Sequence, residues 1–164
     1  MSTKPKGLIL VPTDFSETCQ KAIEYAADMA TKMDFSLSLL HVITSRTKTL
    51  LKKEHKGLET IIEQLEAIKK GVEKRYKIHV TYTAREGSIF EVINRVAGDI
   101  RANLMVLGTH GKKGLQYLLG SYAFKVVSQS PVVVIVIQQN SPLSTYRTVV
   151  FPVNNFIESR QQTQ

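Results

Sequence analysis

Short, unbroken apolar runs recur along this chain, and each is followed by a segment whose apolar residues return at helical spacing. Residues 7–13, Gly-Leu-Ile-Leu-Val-Pro-Thr, are the first such run, and residues 131–137, with Val-Val-Val-Ile-Val-Ile, are the last. A strand that is apolar on both sides must be covered on both faces, which a parallel sheet between two layers of helices provides. Further strands are expected at residues 36–43, 78–84 and 103–107. The alternation Ile78, Val80, Tyr82, Ala84 on one side only suits a half-exposed edge. The expected fold is therefore an open α/β domain with a five-stranded, mainly parallel sheet and helices on both faces; the order 3-2-1-4-5 would set its first and fourth strands side by side.

The intervening helices are read from period and caps. Ser16 is positioned to cap a helix over residues 17–33 that turns Ala22, Tyr25, Ala26, Met29 and Met33 inward. A long charged helix within residues 48–77 carries Leu58, Ile61, Ile62, Leu65, Ile68, Val72 and Tyr76 on one face. Ser88 begins a third helix with Ile89, Val92, Ile93, Val96 and Ile100 on its buried side, and residues 120–128 form a fourth.

Composition narrows the function. The 164 residues fit one domain with a little left over, and 43% hydrophobic with 22% charged residues is globular. No apolar run approaches the roughly 20 residues of a membrane span, and the polar start lacks the pattern of a secretory signal, so a cytoplasmic location is expected. The net charge of +8 invites nucleic acid as a partner, but half of it lies in residues 48–77, where nine Lys or Arg face five Glu. Charges of alternating sign around an amphipathic helix describe a solvated face. No basic cluster interleaved with aromatics and no metal-ligand spacing of His, Cys and carboxylates appears. The single cysteine, Cys19, is either a packed thiol or one activated by a helix N-terminus.

The chemistry is expected where strands end. In open parallel sheets ligands bind beyond the carboxyl ends of the strands, at the point where strand order reverses. The first strand ends in Val11-Pro12-Thr13-Asp14-Phe15-Ser16 and the fourth in Gly108-Thr-His-Gly111, and the expected order makes them neighbours. Asp14 offers a carboxylate to a base or ribose, or else a local Asx turn ahead of the helix. The glycines at 108, 111 and 114 permit positive φ and close approach to a ligand, while Lys112, Lys113 and the helix start near Gly120-Ser121 favour phosphate. His110 is either a phosphate contact or a polar surface residue, and His41 is expected to bond to backbone at the end of its strand.

Together, Pro12-Thr13-Asp14, Leu40-His41-Val42 and Gly108-x-x-Gly111 followed by Gly120-Ser121 resemble the universal stress protein family, over residues 6–137. The resemblance implies an adenine nucleotide alpha hydrolase-like sheet, homodimerisation and, in one subgroup, ATP or a related adenine nucleotide, which a magnesium ion could accompany. By the same resemblance Asp14 and the Val42 backbone would meet adenine. Gly108, Gly111, Gly120 and Ser121 would hold ribose and phosphates, with Pro12, Thr13, His110 and Lys112 as wall residues. The stretch 112–119 is one residue shorter than in the ATP-binding subgroup. Within a helix that deletion would rotate the later turns by about 100°; in a loop it only shortens the connection, which is the expectation here.

Residues 139–145 read as a linker, and residues 146–164 as the first strand of a second, incomplete repeat, in which Asn154 stands where Asp14 stands. The unpaired strand is expected to add to a sheet edge, in the same molecule or a partner. Three functions are consistent with these residues: a stress-response nucleotide-binding regulatory module without robust catalysis, a weak ATP hydrolase or phosphotransferase, and a ligand-free dimerisation scaffold. Neither nucleic acid nor membrane is an expected partner.

Overall fold

The computed structural model describes residues 5–109, 121–139 and 141. Among these residues lie five strands and five helices in the order β1 (Gly7–Pro12), α1 (Glu17–Met33), β2 (Phe35–Ile43), α2 (Ser45–Lys53), α3 (Glu59–Tyr76), β3 (Val80–Glu86), α4 (Ile89–Asp99), β4 (Leu104–Thr109), α5 (Ser121–Ser128) and β5 (Val133–Gln138). The strands form one sheet in the order β3-β2-β1-β4-β5, with every pairing parallel. This is the expected fold and order.

Alternation along each strand divides the core in two. Ile9, Val11, Leu37, Leu39 and Val106 pack against Ala22, Ile23, Ala26, Ala27 and Ala30 of α1 and against Ile61, Leu65 and Val72 of α3. The alanines let α1 lie close to the sheet. Leu10, Leu40, Met105 and Leu107 meet Val92, Ile93, Val96 and Ala97 of α4 and Val126 of α5 on the opposite face. Full burial of each larger aliphatic side chain contributes about 1.5–3 kcal/mol.

Helix α1 follows its cap signals: Ser16 Oγ accepts from Cys19 N at 3.3 Å, and Asp34 ends the helix in the left-handed region at φ 59°. Met33, expected inside, is 43% exposed in the last turn. The expected long charged helix is two helices. His55 turns left-handed at φ 54° and Lys56 N returns to the Leu51 carbonyl, which ends α2. Thr44 and Thr47 close the front of α2 with a reciprocal capping box. The apolar stripe on α3 runs through Ile61, Leu65 and Val72, leaving Leu58 and Ile62 42% and 43% exposed.

Two strand boundaries move for a pairing reason. Strand β3 begins at Val80, opposite Leu37, and follows β2 to Glu86 opposite Ile43. The shift is by two residues, so the face assigned to Val80, Tyr82 and Ala84 is preserved. Strand β4 continues through Gly108 and Thr109 because β5 runs alongside, with Ile137 and Gln138 opposite them. Gly108 therefore belongs to a strand, not to a turn. The linker and second-repeat expectations, apart from residues 139 and 141, lie outside the described residues, as do His110, Gly111, Lys112 and Gly120.

Candidate functional site

The sheet parts where its order reverses. β1 and β4 pair only at Ile9 with Leu104 and Leu10 with Met105, whereas β1 pairs with β2 over its whole length to Pro12 opposite Leu40. Beyond Leu10 the carboxyl ends of β1 and β4 separate, and a cavity of about 940 Å³ opens there. Pro12, Thr13, Asp14, Val42 and Gly108 all line it. Ser121 opens α5, the helix expected after the glycine segment.

The turn after β1 is held by its own polar groups. Thr13 N donates to the Leu40 carbonyl at 2.8 Å, a backbone bond joining this segment to β2. Phe15 N donates to Thr13 Oγ1 at 3.1 Å, and Ser16 N to Asp14 Oδ1 at 3.0 Å. The local Asx turn open to Asp14 in the sequence is thus formed. Its geometry leaves the carboxylate exposed at the cavity rim. Phe15 takes φ 66°, a left-handed conformation rare for an aromatic residue, and its ring stacks on His41 with centroids 4.6 Å apart and planes 17° from parallel.

His41 bonds to backbone, as expected. Its Nδ1 lies 2.8 Å from the Thr13 carbonyl oxygen. A carbonyl only accepts, so Nδ1 carries the proton. Burial pulls the imidazole pKa below its ordinary value, against the opposing effects of the Thr13 bond and the Asp14 charge. Burial likewise pushes the Cys19 thiol up to about 11, although a hydrogen bond from the Asp14 backbone and another from the Ser16 side chain work the other way. The helix N-terminus does not activate this cysteine, and the packed reading holds.

Val42 lies just past the end of the β1–β2 ladder. Leu40 directs its main-chain groups toward β1, as its bond with Thr13 shows, and in a parallel ladder Val42, two residues on, shares that orientation. The ladder with β1 ends at Leu40, so the Val42 N–H and C=O face the crevice past its last rung.

Gly108 requires a correction. It is not among the described residues with positive φ, and its lack of a side chain serves α1. A Cβ there would stand 2.9 Å from the Thr18 carbonyl oxygen and 3.0 Å from the Cys19 Cα. The glycine lets the first turn of α1 rest on β4. Thr109, passed over in the sequence although it sits inside the glycine motif, is 6% exposed, lines the cavity, and its Oγ1 has no hydrogen-bond partner among the described residues. Arg46 and Thr47 of α2 also reach the cavity; only the pairing of α2 with the strand ends brings them there.

Among the described residues no group of three or more His, Cys, Asp and Glu could hold a metal ion, and no helix is long and apolar enough to cross a membrane.

Similarity to known proteins agrees with this geometry. The chain is 28% identical over 157 residues to universal stress protein MJ0577 of Methanocaldococcus jannaschii, covering 81% of this chain and 95% of that protein. It is 31% identical over 142 residues to universal stress protein MJ0531 of the same organism, covering 80% and 81%. The solved structure of MJ0577 superposes with a TM-score of 0.65 at 29% identity, over 84% of this chain and 100% of that one. An Arabidopsis thaliana universal stress protein family structure with AMP bound shares the fold, with a TM-score of 0.60 at 18% identity, over 82% and 93%. So does a universal stress protein in complex with cAMP, with a TM-score of 0.57 at 17% identity, over 82% and 98%. The model of the universal stress protein family matches residues 7–138. The chain belongs to the universal stress protein family.

Proposed function

We propose that the crevice between the ends of β1 and β4 binds an adenine nucleotide, and that the domain is a stress-response module whose bound and free states are read by other proteins. The observation that carries this reading is the pairing of Asp14 with the Val42 main chain at one opening of the sheet. Adenine presents a donating amino group beside ring nitrogens that accept. A carboxylate and a strand-end amide and carbonyl past the last rung of the ladder match that edge. Relatives of the same fold solved with AMP and with cAMP support it. Thr109 Oγ1 adds a hydroxyl on the side where the glycine segment and the start of α5 would receive ribose and phosphates. ATP is the largest ligand this reading admits. A magnesium ion would draw on the phosphates, with Asp14 the one carboxylate at the end of β1.

Binding without robust turnover is favoured by what the reactive groups already do. His41 alternates with Leu39 and Ile43 and so turns to the α1/α3 side, away from the proposed nucleotide position, and Cys19 is held as a thiol. Neither is set toward the nucleotide as a base for an attacking water.

The test is release of ligand from purified protein by denaturation with identification by mass, followed by calorimetric titration with AMP, ATP and GMP. Adenine nucleotide in the released fraction, or saturable AMP or ATP binding weakened by Asp14→Asn, is the expected result. Absence of both, or equal affinity for GMP, rejects the reading. Turnover of ATP abolished by Asp14→Asn would favour the hydrolase instead. Pairing through a sheet edge, with a second copy or a tandem repeat, belongs to the same proposal, since among the described residues β3 and β5 are the outer strands of the sheet and Val133 on β5 is 70% exposed.

A further inference from the structure

The cavity passes over the strand ends onto both faces of the sheet, and its two lobes differ. Val42, Leu107 and Thr109 lie on the α4/α5 side, the side of the proposed nucleotide position. His41 alternates with Leu39 and Ile43, which belong to the core on the α1/α3 side, so its ring faces the other lobe. Phe15, Leu51 and Ile61 wall that lobe, and Gln64 adds a polar group.

His41 is 6% exposed. Because Nδ1 holds the proton in its bond to Thr13, Nε2 presents a lone pair, and this atom is buried with no hydrogen-bond partner among the described residues. Buried acceptors are nearly always satisfied, so an orphan on the lining of a cavity marks a place for a donor. The surroundings say which kind. Glu54 and Lys56 neutralise each other at 2.7 Å, and Arg46 of α2, the other cation on the lining, stands exposed at the rim. Apolar side chains dominate the remainder, and α2, which closes the lobe, buries none of its own residues. A wall held by so little packing opens at small cost.

We propose that this lobe is a second binding site, separate from the nucleotide position, for an uncharged and largely apolar small molecule with one hydrogen-bond donor, which His41 Nε2 accepts. A phenol is the simplest such molecule. The proposal stands apart from the nucleotide reading, since neither Asp14 nor Val42 enters it.

The test is a titration of the full chain, labelled with ¹⁵N at histidine, with phenol and with anisole, which keeps the ring and lacks the donor. Phenol is expected to shift the His41 Nε2 resonance saturably, while anisole leaves it in place. Leu51→Trp, which fills the lobe from α2 without touching the bond to Thr13, is expected to keep the His41 resonance and abolish the phenol shift. No saturable shift with phenol, an equal shift with anisole, or a phenol shift that survives Leu51→Trp overturns the proposal. The comparison of phenol with anisole on the unaltered chain stands whether or not the variant folds.

Discussion

His41 on β2 donates from Nδ1 to the carbonyl of Thr13 at 2.8 Å, across the point where the ladder between β1 and β2 ends. One buried side chain thereby continues the seam that the backbone abandons, and it fixes the turn carrying Asp14.

Burial of His41, against the opposing effect of this bond, makes stability depend on pH in a defined direction. The folded pKa of His41 lies below its unfolded value of about 6.5, so the unfolded chain takes up the proton first. The stabilisation is complete above the unfolded value. It declines as pH falls through about 6.5 and levels off only below the folded pKa. Urea denaturation of the wild-type chain and of His41→Gln at a series of pH values from about 8 to about 5 should show this loss in the wild type and a flatter profile in the variant.

Gly108→Ala separates packing from ligand contact. The new methyl would press on the Thr18 carbonyl and the α1 backbone, a rigid neighbour, and is expected to cost about 1–3 kcal/mol of stability in thermal or urea unfolding. Unchanged stability with lost AMP affinity would return Gly108 to the role expected from its motif.

Asp14→Asn keeps the oxygen that accepts from Ser16 N and removes the charge. The melting temperature should hardly move, while AMP affinity should fall about tenfold or more, the loss expected for one charged hydrogen bond. Calorimetry checks both on one preparation.

Cys19 should resist alkylation. With a pKa of about 11, about one part in a thousand is thiolate at pH 8, and the side chain is buried. Iodoacetamide is expected to label it rapidly only after denaturant is added, as read by intact mass.

Val133→Lys tests the sheet edge. A charge placed at the exposed start of β5 opposes pairing along that edge, so solution mass should fall to that of one chain if β5 forms the contact. An unchanged mass moves the contact elsewhere.

How much of this was legible in the residues depends on the range of the interaction concerned. Ser16 caps α1 through bonds within three residues, and alternating strands and helices announce an open parallel sheet, so both were readable. The turn at His55 was not, because the residues around it suit a helix and its left-handed φ is set by the loop closing onto Leu51. Thr109 and the role of Gly108 were missed for the same reason: each is defined by what packs against it from another element.

The sequence by itself determined the strands, helices α1, α4 and α5 with most of their buried faces, and the family to which the chain belongs, since those rest on neighbours along the chain and on the opposed needs of apolar and charged side chains. Only the tertiary structure decided that β1 and β4 part after Leu10, that Gly108 is small for the sake of α1, and that His41 reaches Thr13. Contacts between residues far apart in the chain depend on register and on the distance between layers, and local composition encodes neither.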